Sequence, residues 1–280
     1  MHEHTVFSDK LVRLRSILLE CESVCIGYSG GVDSVFLAKY ALDHLGGDRV
    51  LAVTGRSAAI PEAQWQTARD CALRFGIPHL EVATEELADP AYAANPSNRC
   101  YFCKTELWNV LTPIAATRGI KAVVDGSNAD DALDYRPGFE AAREWGVRSP
   151  LMEAGLTKQE IREASRALNL PTWDQPSSPC LSSRLPYGLG VTPERLRQIE
   201  TAEACLRDLG FREFRVRHHG DAARLEFAFG ELRIAIDQRA SIAAALRRSG
   251  FRRVLLDVEG YRSGRLNEGL QLVQIGALNP

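Results

Sequence analysis

The feature that most constrains this chain is a six-residue segment, residues 29–34, with the sequence Ser-Gly-Gly-Val-Asp-Ser. An apolar run at residues 24–28 precedes it and another at residues 35–42 follows it, which predicts a buried strand, a glycine turn and a helix. Gly30 and Gly31 permit a tight turn, while the first N–H groups of the helix and its positive dipole end favour an anion. The segment therefore predicts a phosphate-binding site; the alternative is an ordinary glycine-rich turn.

Asp33 adds a carboxylate to this anion site. Because a carboxylate would repel a bare phosphate, we expect Mg²⁺ to bridge Asp33 and the phosphates. The segment lacks the Gly-Lys-Ser/Thr of a Walker loop and the glycine spacing of a dinucleotide site. It resembles the PP-loop of the ATP pyrophosphatase superfamily, whose members split ATP between the α and β phosphates. The resemblance implies that ATP binds at Ser29, Gly30, Gly31, Asp33 and Ser34.

Further apolar runs at residues 50–54, 77–82 and 120–125 alternate with helical segments, a pattern that predicts a parallel sheet. Ligands of such sheets bind outside the carboxyl ends of the strands. We therefore expect Ser57, after the second strand, and Gly126, after the fourth, to border the nucleotide site; a plain strand end is the alternative for Ser57. The predicted fold class is α/β, a Rossmann-like PP-loop domain of the adenine nucleotide alpha hydrolase type.

A proline-rich stretch at residues 171–180 predicts a junction between two domains, residues 1–172 and 173–280. After it, helical segments mix with short strands expected at residues 214–218, 224–229 and 253–258. This order predicts a small α+β domain. We expect the first domain to hold the nucleotide site.

Composition limits the classes of partner. The chain has 280 residues, 45% of them hydrophobic and 25% charged, with a net charge of −2, which is typical of globular proteins and gives no overall attraction to nucleic acid or anionic membranes. No apolar window is long enough to span a bilayer, and the first five residues carry no signal pattern. We therefore expect a cytoplasmic protein with a small-molecule partner and no membrane partner.

Three of the seven cysteines stand out by position. Cys100 and Cys103 form a C-x-x-C in a predicted loop that the topology directs at the nucleotide site, and Cys180 lies in a proline-bounded loop. Three thiolates suffice for a [4Fe–4S] cluster with one open iron, whereas structural zinc needs a fourth ligand. A nearby His could complete a zinc site, and the C-x-x-C could equally be a redox pair or two ordinary thiols. The other four are predicted core residues: Cys21, Cys25, Cys71 and Cys205.

Arginines form the candidate substrate site. Arg215 and Arg217 alternate with apolar residues, so they share one strand face, and Arg184 follows Cys180 by four residues. Such a fork of guanidinium groups suits carboxylates and phosphates. The alternative is a solvated basic strand face.

Four blocks together resemble the LarE family: residues 99–104, residues 125–131 with 134–138, residues 178–188, and residues 215–221. The likeness runs from about residue 10 to the C-terminal end. It implies an ATP-dependent sulfur transferase that adenylates a carboxylate of pyridinium-3,5-biscarboxylic acid mononucleotide and converts it to a thiocarboxylate. The reaction belongs to synthesis of the nickel-pincer nucleotide cofactor of lactate racemase. Family members are homo-oligomers, and a hexamer is implied. The likeness also implies that residues 1–172 bind ATP and that residues 173–280 serve sulfur transfer, substrate binding and oligomerisation.

The family has two branches. In one, the cysteine matching Cys180 gives up its own sulfur; in the other, three cysteines hold a [4Fe–4S] cluster that delivers sulfide. Cys100 and Cys103 predict the second branch, with Asp33, Cys180 and Arg184 as catalytic residues. Three other functions stay open: a PP-loop iron–sulfur tRNA thiolase, because residues 205–253 hold eleven Arg against six acidic residues; a non-enzymatic nucleotide-binding module; and an amidating synthetase, for which no glutaminase segment is found.

Overall fold

The computed structural model of the protein describes residues 2–133, 137–176, 179–262 and 265–267. The chain divides into two compact units, one of Met1–Glu86 and Asn98–Ser178, the other of Leu87–Ser97 and Pro179–Pro280. The division thus falls six residues beyond the predicted boundary at 172/173, and a short segment from the middle of the first unit's sequence belongs to the second. Residues 134–136 and Ser178, which belong to the family-like blocks, lie outside the described residues.

The strands of the described residues are β1 (Val24–Gly27), β2 (Val50–Arg56), β3 (His79–Ala83), β4 (Ala122–Val124), β5 (Phe214–His219), β6 (Ala222–Phe227) and β7 (Arg253–Leu256). The α-helices of the described residues are α1 (His2–Glu20), α2 (Val32–Leu45), α3 (Glu62–Phe75), α4 (Pro90–Ala93), α5 (Arg99–Thr117), α6 (Gly138–Glu144), α7 (Pro150–Glu153), α8 (Lys158–Ala167), α9 (Pro193–Asp208), α10 (Phe229–Asp237) and α11 (Arg239–Arg248).

The first unit is a parallel sheet covered on both faces, which confirms the predicted α/β class. Its strand order is β3-β2-β1-β4, and each neighbouring pair is parallel. Successive residues of β1 point to opposite faces: Ile26 packs in a core with Phe36 of α2 and Ile161 of α8. Cys25 packs in a second core with Trp108 of α5. Because both faces are buried, the strand is apolar throughout, and this pattern made it recognisable in the sequence.

The sheet also locates a ligand crevice. The connection from β1 leads to β2 on one side, while β4 pairs with β1 on the other. The chain adds β2 and β3 on one side of β1 and then crosses to the other side for β4. In an open α/β sheet, the ligand crevice lies outside the carboxyl ends of the strands at such a switch point. The segments that follow these two strands, residues 28–31 and 125–128, lie there.

The C-x-x-C lies on a helix, so the loop predicted for it is wrong. Helix α5 begins at Arg99, with Asn98 at its N-cap, and includes both Cys100 and Cys103. Burial of Arg99, Trp108 and Leu111 anchors one side of this helix. The prolines upstream suggested a loop up to Arg99, yet they precede the helix and leave its hydrogen bonds intact. Part of the expected loop is also helical, because Asp89 caps α4 by accepting from the Ala91 N–H at 2.8 Å.

The second unit has the predicted α+β architecture. Its sheet has the order β5-β6-β7, with β5 and β6 antiparallel and β6 and β7 parallel. Its core contains Val216 and Phe227 from the sheet, Leu206 of α9 and Leu246 of α11. Strand β6 begins two residues earlier than predicted because Gly220, with a φ of +67°, closes a tight turn that pairs His219 with Ala222.

Candidate functional site

The turn of residues 29–31 is built so that only glycine fits at its second position. Gly30 has a φ of +75°, in the left-handed region that side chains disfavour. A Cβ there would also lie 2.8 Å from the Cβ of Ala68 on α3. The backbone of the turn therefore packs directly against α3, and Gln64 of the same helix donates to the Ser29 carbonyl at 3.0 Å.

The two serines of the segment hold the turn in place. The Ser34 hydroxyl donates to the Gly31 carbonyl at 3.1 Å, lies 3.2 Å from the Ser29 hydroxyl, and accepts from the Ser29 N–H at 3.2 Å. Gly31 is the N-cap of α2, and among the described residues no side chain caps this helix. Its first N–H groups are thus directed outward from a preorganised turn, which is the arrangement that binds phosphate.

Gly126 approaches this helix start closely. A Cβ at Gly126 would lie 3.0 Å from the backbone N of Ser34 and 3.2 Å from its Cα. The turn that carries Gly126 is fixed by the buried carboxylate of Asp125, which accepts from the Ser127 N–H and hydroxyl at 3.0 and 2.9 Å and from the Ser149 hydroxyl at 2.8 Å. The structure thus brings Gly126 to the PP-loop, where the backbone of Ser34 occupies the space that a side chain at residue 126 would need.

Asp33 lies in the first turn of α2 with its side chain one-fifth exposed. Its Oδ2 accepts from Nζ of Lys158, and its Oδ1 lies 3.4 Å from Nδ2 of Asn128. A carboxylate beside uncapped helix N–H groups fits a bridging Mg²⁺ by its hard oxygen donors. Sequence reasoning missed both Lys158 and Asn128 as neighbours of Asp33, because they lie 125 and 95 residues away in the chain.

Local structure fixes the backbone of Lys158. It is the first residue of α8, which carries the predicted capping box between Thr157 and Glu160. Lys10 of α1 binds both oxygens of Glu160 at 2.7 and 2.8 Å, and the Lys158 N–H donates to Asp130 at 2.8 Å. The capping sequence predicted a helix start here, but nothing in it indicated that the start faces the PP-loop.

Ser57 follows β2 at the same edge of the sheet. Its hydroxyl donates to Glu86 at 2.5 Å and accepts from the Ala59 N–H at 3.1 Å. These bonds explain the local turn. A nucleotide contact by Ser57 stays a prediction.

The three cysteines of interest belong to different units, Cys100 and Cys103 to the first and Cys180 to the second. Cys100 is exposed, while Cys103 and Cys180 are half-buried. Cys21, Cys25 and Cys71 are buried, as expected of core residues, and Cys205 is half-buried. In the part of the chain that the structure describes, no group of three or more His, Cys, Asp or Glu side chains is placed to hold a metal ion.

Arg184 is a buried residue of the Cys180 loop. Its guanidinium donates to the carbonyls of Pro179 and Cys180 at 2.6 and 3.1 Å, and it forms a bidentate ion pair with Glu203 at 2.9 and 3.1 Å. Arg184 is 2% exposed and Glu203 3%. Most of its donors are therefore committed to the protein, so the geometry favours Arg184 as the residue that positions Cys180.

Arg215 and Arg217 are buried, so a solvated basic strand face is wrong: their exposed fractions are 6% and 8%. Arg217 binds Glu226 at 2.8 Å and the Ser183 carbonyl at 2.8 Å. Arg215 lies over the Tyr261 ring at 4.6 Å. Burial, reinforced by the nearby positive charge of Arg184, lowers the pKa of Arg215 from its usual value.

A cavity of about 110 Å³ lies in the second unit. Its lining residues are mostly basic: Arg184, Pro186, Arg217, His219, Arg224, Glu226, Arg265 and Leu266. Glu226 is fully buried and pairs with Arg217 and Arg224, while Asp257 pairs with Arg265 at 3.0 Å. Arg265 also pairs with the exposed carboxylate of Glu259 at 2.8 Å, and Arg184 pairs with Glu203, so each of these four arginines has a carboxylate partner. The cavity lining itself holds four arginines and one carboxylate, and this density of guanidinium donors suits an anionic ligand. Sequence reasoning missed Arg224 and Arg265 because their place in the lining depends on the tertiary structure.

None of the helices in the described part of the chain is long and apolar enough to cross a membrane.

Sequence comparison relates the chain to known proteins. The family model for NAD synthase matches residues 11–99, which include the PP-loop. An uncharacterised protein of Synechocystis sp. is 44% identical over 267 residues, 95% of this chain and 99% of that protein. An uncharacterised protein of Methanocaldococcus jannaschii is 28% identical over 261 residues, 92% of this chain and 99% of that protein.

The informative relative is the pyridinium-3,5-bisthiocarboxylic acid mononucleotide synthase of Lactiplantibacillus plantarum. It is 36% identical over 266 residues, 95% of this chain and 96% of the synthase. The similarity thus extends over both units and is not confined to the PP-loop. The chain belongs to the LarE family of PP-loop, ATP-dependent sulfur transferases.

Proposed function

We propose that this protein adenylates a carboxylate of pyridinium-3,5-biscarboxylic acid mononucleotide and converts it to a thiocarboxylate, in the cytoplasm, during synthesis of the nickel-pincer nucleotide cofactor of lactate racemase. The observation that carries the proposal is the open, preorganised start of α2 in a chain that aligns with the synthase over almost its whole length. ATP is the ligand that this start of α2 suits.

The reaction balances in two steps. A carboxylate oxygen of the substrate attacks the α phosphorus of ATP, and pyrophosphate leaves. A sulfur nucleophile then attacks the acyl carbon, and AMP leaves. A carboxylate oxygen is a poor leaving group at neutral pH, so the first step supplies the electrophile for the second. Ser29, Gly30, Gly31 and Ser34 shape the turn that orients the phosphates, and Asp33 is the residue that would hold Mg²⁺, which neutralises phosphate charge when bound.

We assign the substrate's anionic groups to the arginine-lined cavity of the second unit. Arg217 lines this cavity from β5 and Arg184 from the Cys180 loop, which supports both as substrate-binding residues. Arg215 stays a proposed substrate residue although it does not line the cavity. A phosphate or carboxylate in the cavity would share guanidinium donors that Glu226 now holds.

For the sulfur source, we propose that Cys100, Cys103 and Cys180 bind a [4Fe–4S] cluster. The donor set is chemically suited, since all three thiols are at least partly accessible. When bound, the cluster would supply an iron-held sulfide, which permits repeated turnover. Sacrifice of the Cys180 sulfur is the competing source. Iron and sulfide analysis of anaerobically purified protein separates them, since sacrifice needs no iron and converts Cys180 to dehydroalanine.

Substrate class is tested by AMP release. We expect the anaerobic protein with Mg²⁺ and ATP to release AMP when pyridinium-3,5-biscarboxylic acid mononucleotide is added, and no more AMP than the blank when bulk tRNA is added. Stimulation by tRNA alone would contradict the proposal. The arginine excess that suggested tRNA is partly buried, because Arg215 and Arg217 are under a tenth exposed. It is therefore a weak attraction for a phosphate backbone.

We also propose that the protein is a homo-oligomer, a hexamer by family resemblance. The second unit exposes apolar side chains on α10, where Phe229 is 90% and Ile234 50% exposed, and beside the edge strand β7, where Val258 is 83% exposed. Exposed apolar groups of this kind are typical of subunit interfaces. Light scattering after size-exclusion chromatography measures the mass; a monomer at micromolar concentration would contradict it.

A further inference from the structure

The ion pair between Lys158 and Asp33 lies at the start of the proposed nucleotide site. We propose that Lys158 is a phosphate-binding residue that transfers its ammonium group from Asp33 to the β and γ phosphates of ATP when Mg²⁺ occupies the carboxylate. The inference rests on the proposed function only in taking ATP as the ligand of the PP-loop.

The backbone beneath Lys158 is held from three sides, so the ammonium position depends on the side chain alone. Thr157 and Glu160 close the capping box, Lys10 fixes Glu160, and Asp130 accepts the Lys158 N–H. The Lys158 side chain is one-third exposed, so its flexible stem has room to turn. A lysine whose backbone is this rigid returns its ammonium group to the same small region whichever partner it binds.

Charge balance explains why a cation is needed at this position. Without ligand, the Lys158 ammonium neutralises the Asp33 carboxylate inside an anion-binding turn. Asp33 would hold Mg²⁺ when the metal and ATP bind, and the ammonium would then lose its carboxylate partner. The phosphates of ATP would offer it a new anionic partner. One lysine therefore prepares the empty site and stabilises the occupied one.

The competing explanation is that Lys158 only holds Asp33 in place. The two explanations predict opposite changes in ATP affinity when Lys158 is replaced. If Lys158 merely competes with Mg²⁺ for the carboxylate, its removal leaves Asp33 more available, and ATP should bind as well as before or better. If Lys158 binds phosphate, its removal takes away a charge-assisted hydrogen bond and ATP should bind more weakly.

The test is calorimetric titration of the full-length protein with α,β-methylene-ATP plus Mg²⁺, and separately with AMP. We expect Lys158→Met to weaken binding of the ATP analogue about 10- to 100-fold. AMP, which lacks the β and γ phosphates, should bind within about twofold of the wild type, since no contact to it is lost. Lys158→Arg, which keeps the charge, should recover most of the affinity.

Lys39→Met is the matched control, because Lys39 on α2 pairs with Asp43 away from the turn, and its removal changes net charge equally. Far-UV circular dichroism establishes that each variant is folded. Unchanged or tighter binding of the ATP analogue by Lys158→Met would overturn the inference, and so would equal weakening of the ATP analogue and AMP. A wild-type protein that bound no ATP analogue would overturn the proposed function as well, so the two failures are distinguishable.

Discussion

Replacing Arg184 by Met should destabilise the second unit by about 3–5 kcal/mol, because it leaves the buried carboxylate of Glu203 without its ion-pair partner. The remaining neighbours of Glu203 are weak: the Val216 N–H at 3.3 Å and Nη1 of Arg207 at 4.0 Å. The same substitution removes the donors to the carbonyls of Pro179 and Cys180. Loss of activity in this variant would therefore reflect a misplaced Cys180 as well as a missing charge.

The assay is urea unfolding followed by far-UV circular dichroism, with an expected drop in midpoint of about 1–3 M. Tryptophan fluorescence is unsuitable, because Trp65, Trp108, Trp145 and Trp173 all belong to the first unit. Hydrogen exchange of peptides from residues 181–227 localises the effect to the second unit.

Arg207→Met is the control. Arg207 approaches the same carboxylate but is 40% exposed, so its loss should cost under about 0.5 kcal/mol. The double variant Arg184→Met/Glu203→Leu should regain most of the stability, since an apolar pair replaces a buried ion pair at little net cost. If Arg184→Met shifted the midpoint no more than Arg207→Met does, Arg184 would have no structural role. That result would favour Arg184 as a residue that binds substrate directly.

Three further outcomes are expected. Gly126→Ala should weaken ATP binding about tenfold, because its Cβ would lie 3.0 Å from the Ser34 N and push the start of α2 by overpacking; calorimetric titration with the ATP analogue measures it, and unaltered affinity would contradict the close approach. Cys100→Ser should remove iron from the anaerobic protein as completely as Cys180→Ser does; retained sulfur transfer in Cys100→Ser with loss only in Cys180→Ser would favour sacrifice. Burial lowers the pKa of His79, so below about pH 6.5 the unfolded chain binds a proton that the folded one does not, and the free energy of unfolding falls as pH drops; tryptophan fluorescence in urea should show this, less steeply in His79→Gln, and an equal slope in both would exclude His79.

Local sequence patterns predicted much of the fold. The apolar run of β1, the glycine turn and the start of α2 could be read directly, because a strand buried on both faces is apolar at every position. The capping box at Thr157 could be read because its hydrogen bonds join residues three apart. The alternation that put Arg215 and Arg217 on one face follows from the period of a strand.

Sequence by itself thus determined the order of the strands along the chain, the glycine turn before α2 and the family to which the chain belongs. Only the tertiary structure decided which charges meet: Lys158 with Asp33, and Arg184 with Glu203. It also decided that α5 starts before the C-x-x-C, since burial of Trp108 and Leu111 sets its position. The physical reason is range: backbone conformation responds to near neighbours, whereas the partner of a buried charge is chosen by packing of elements far apart in the chain.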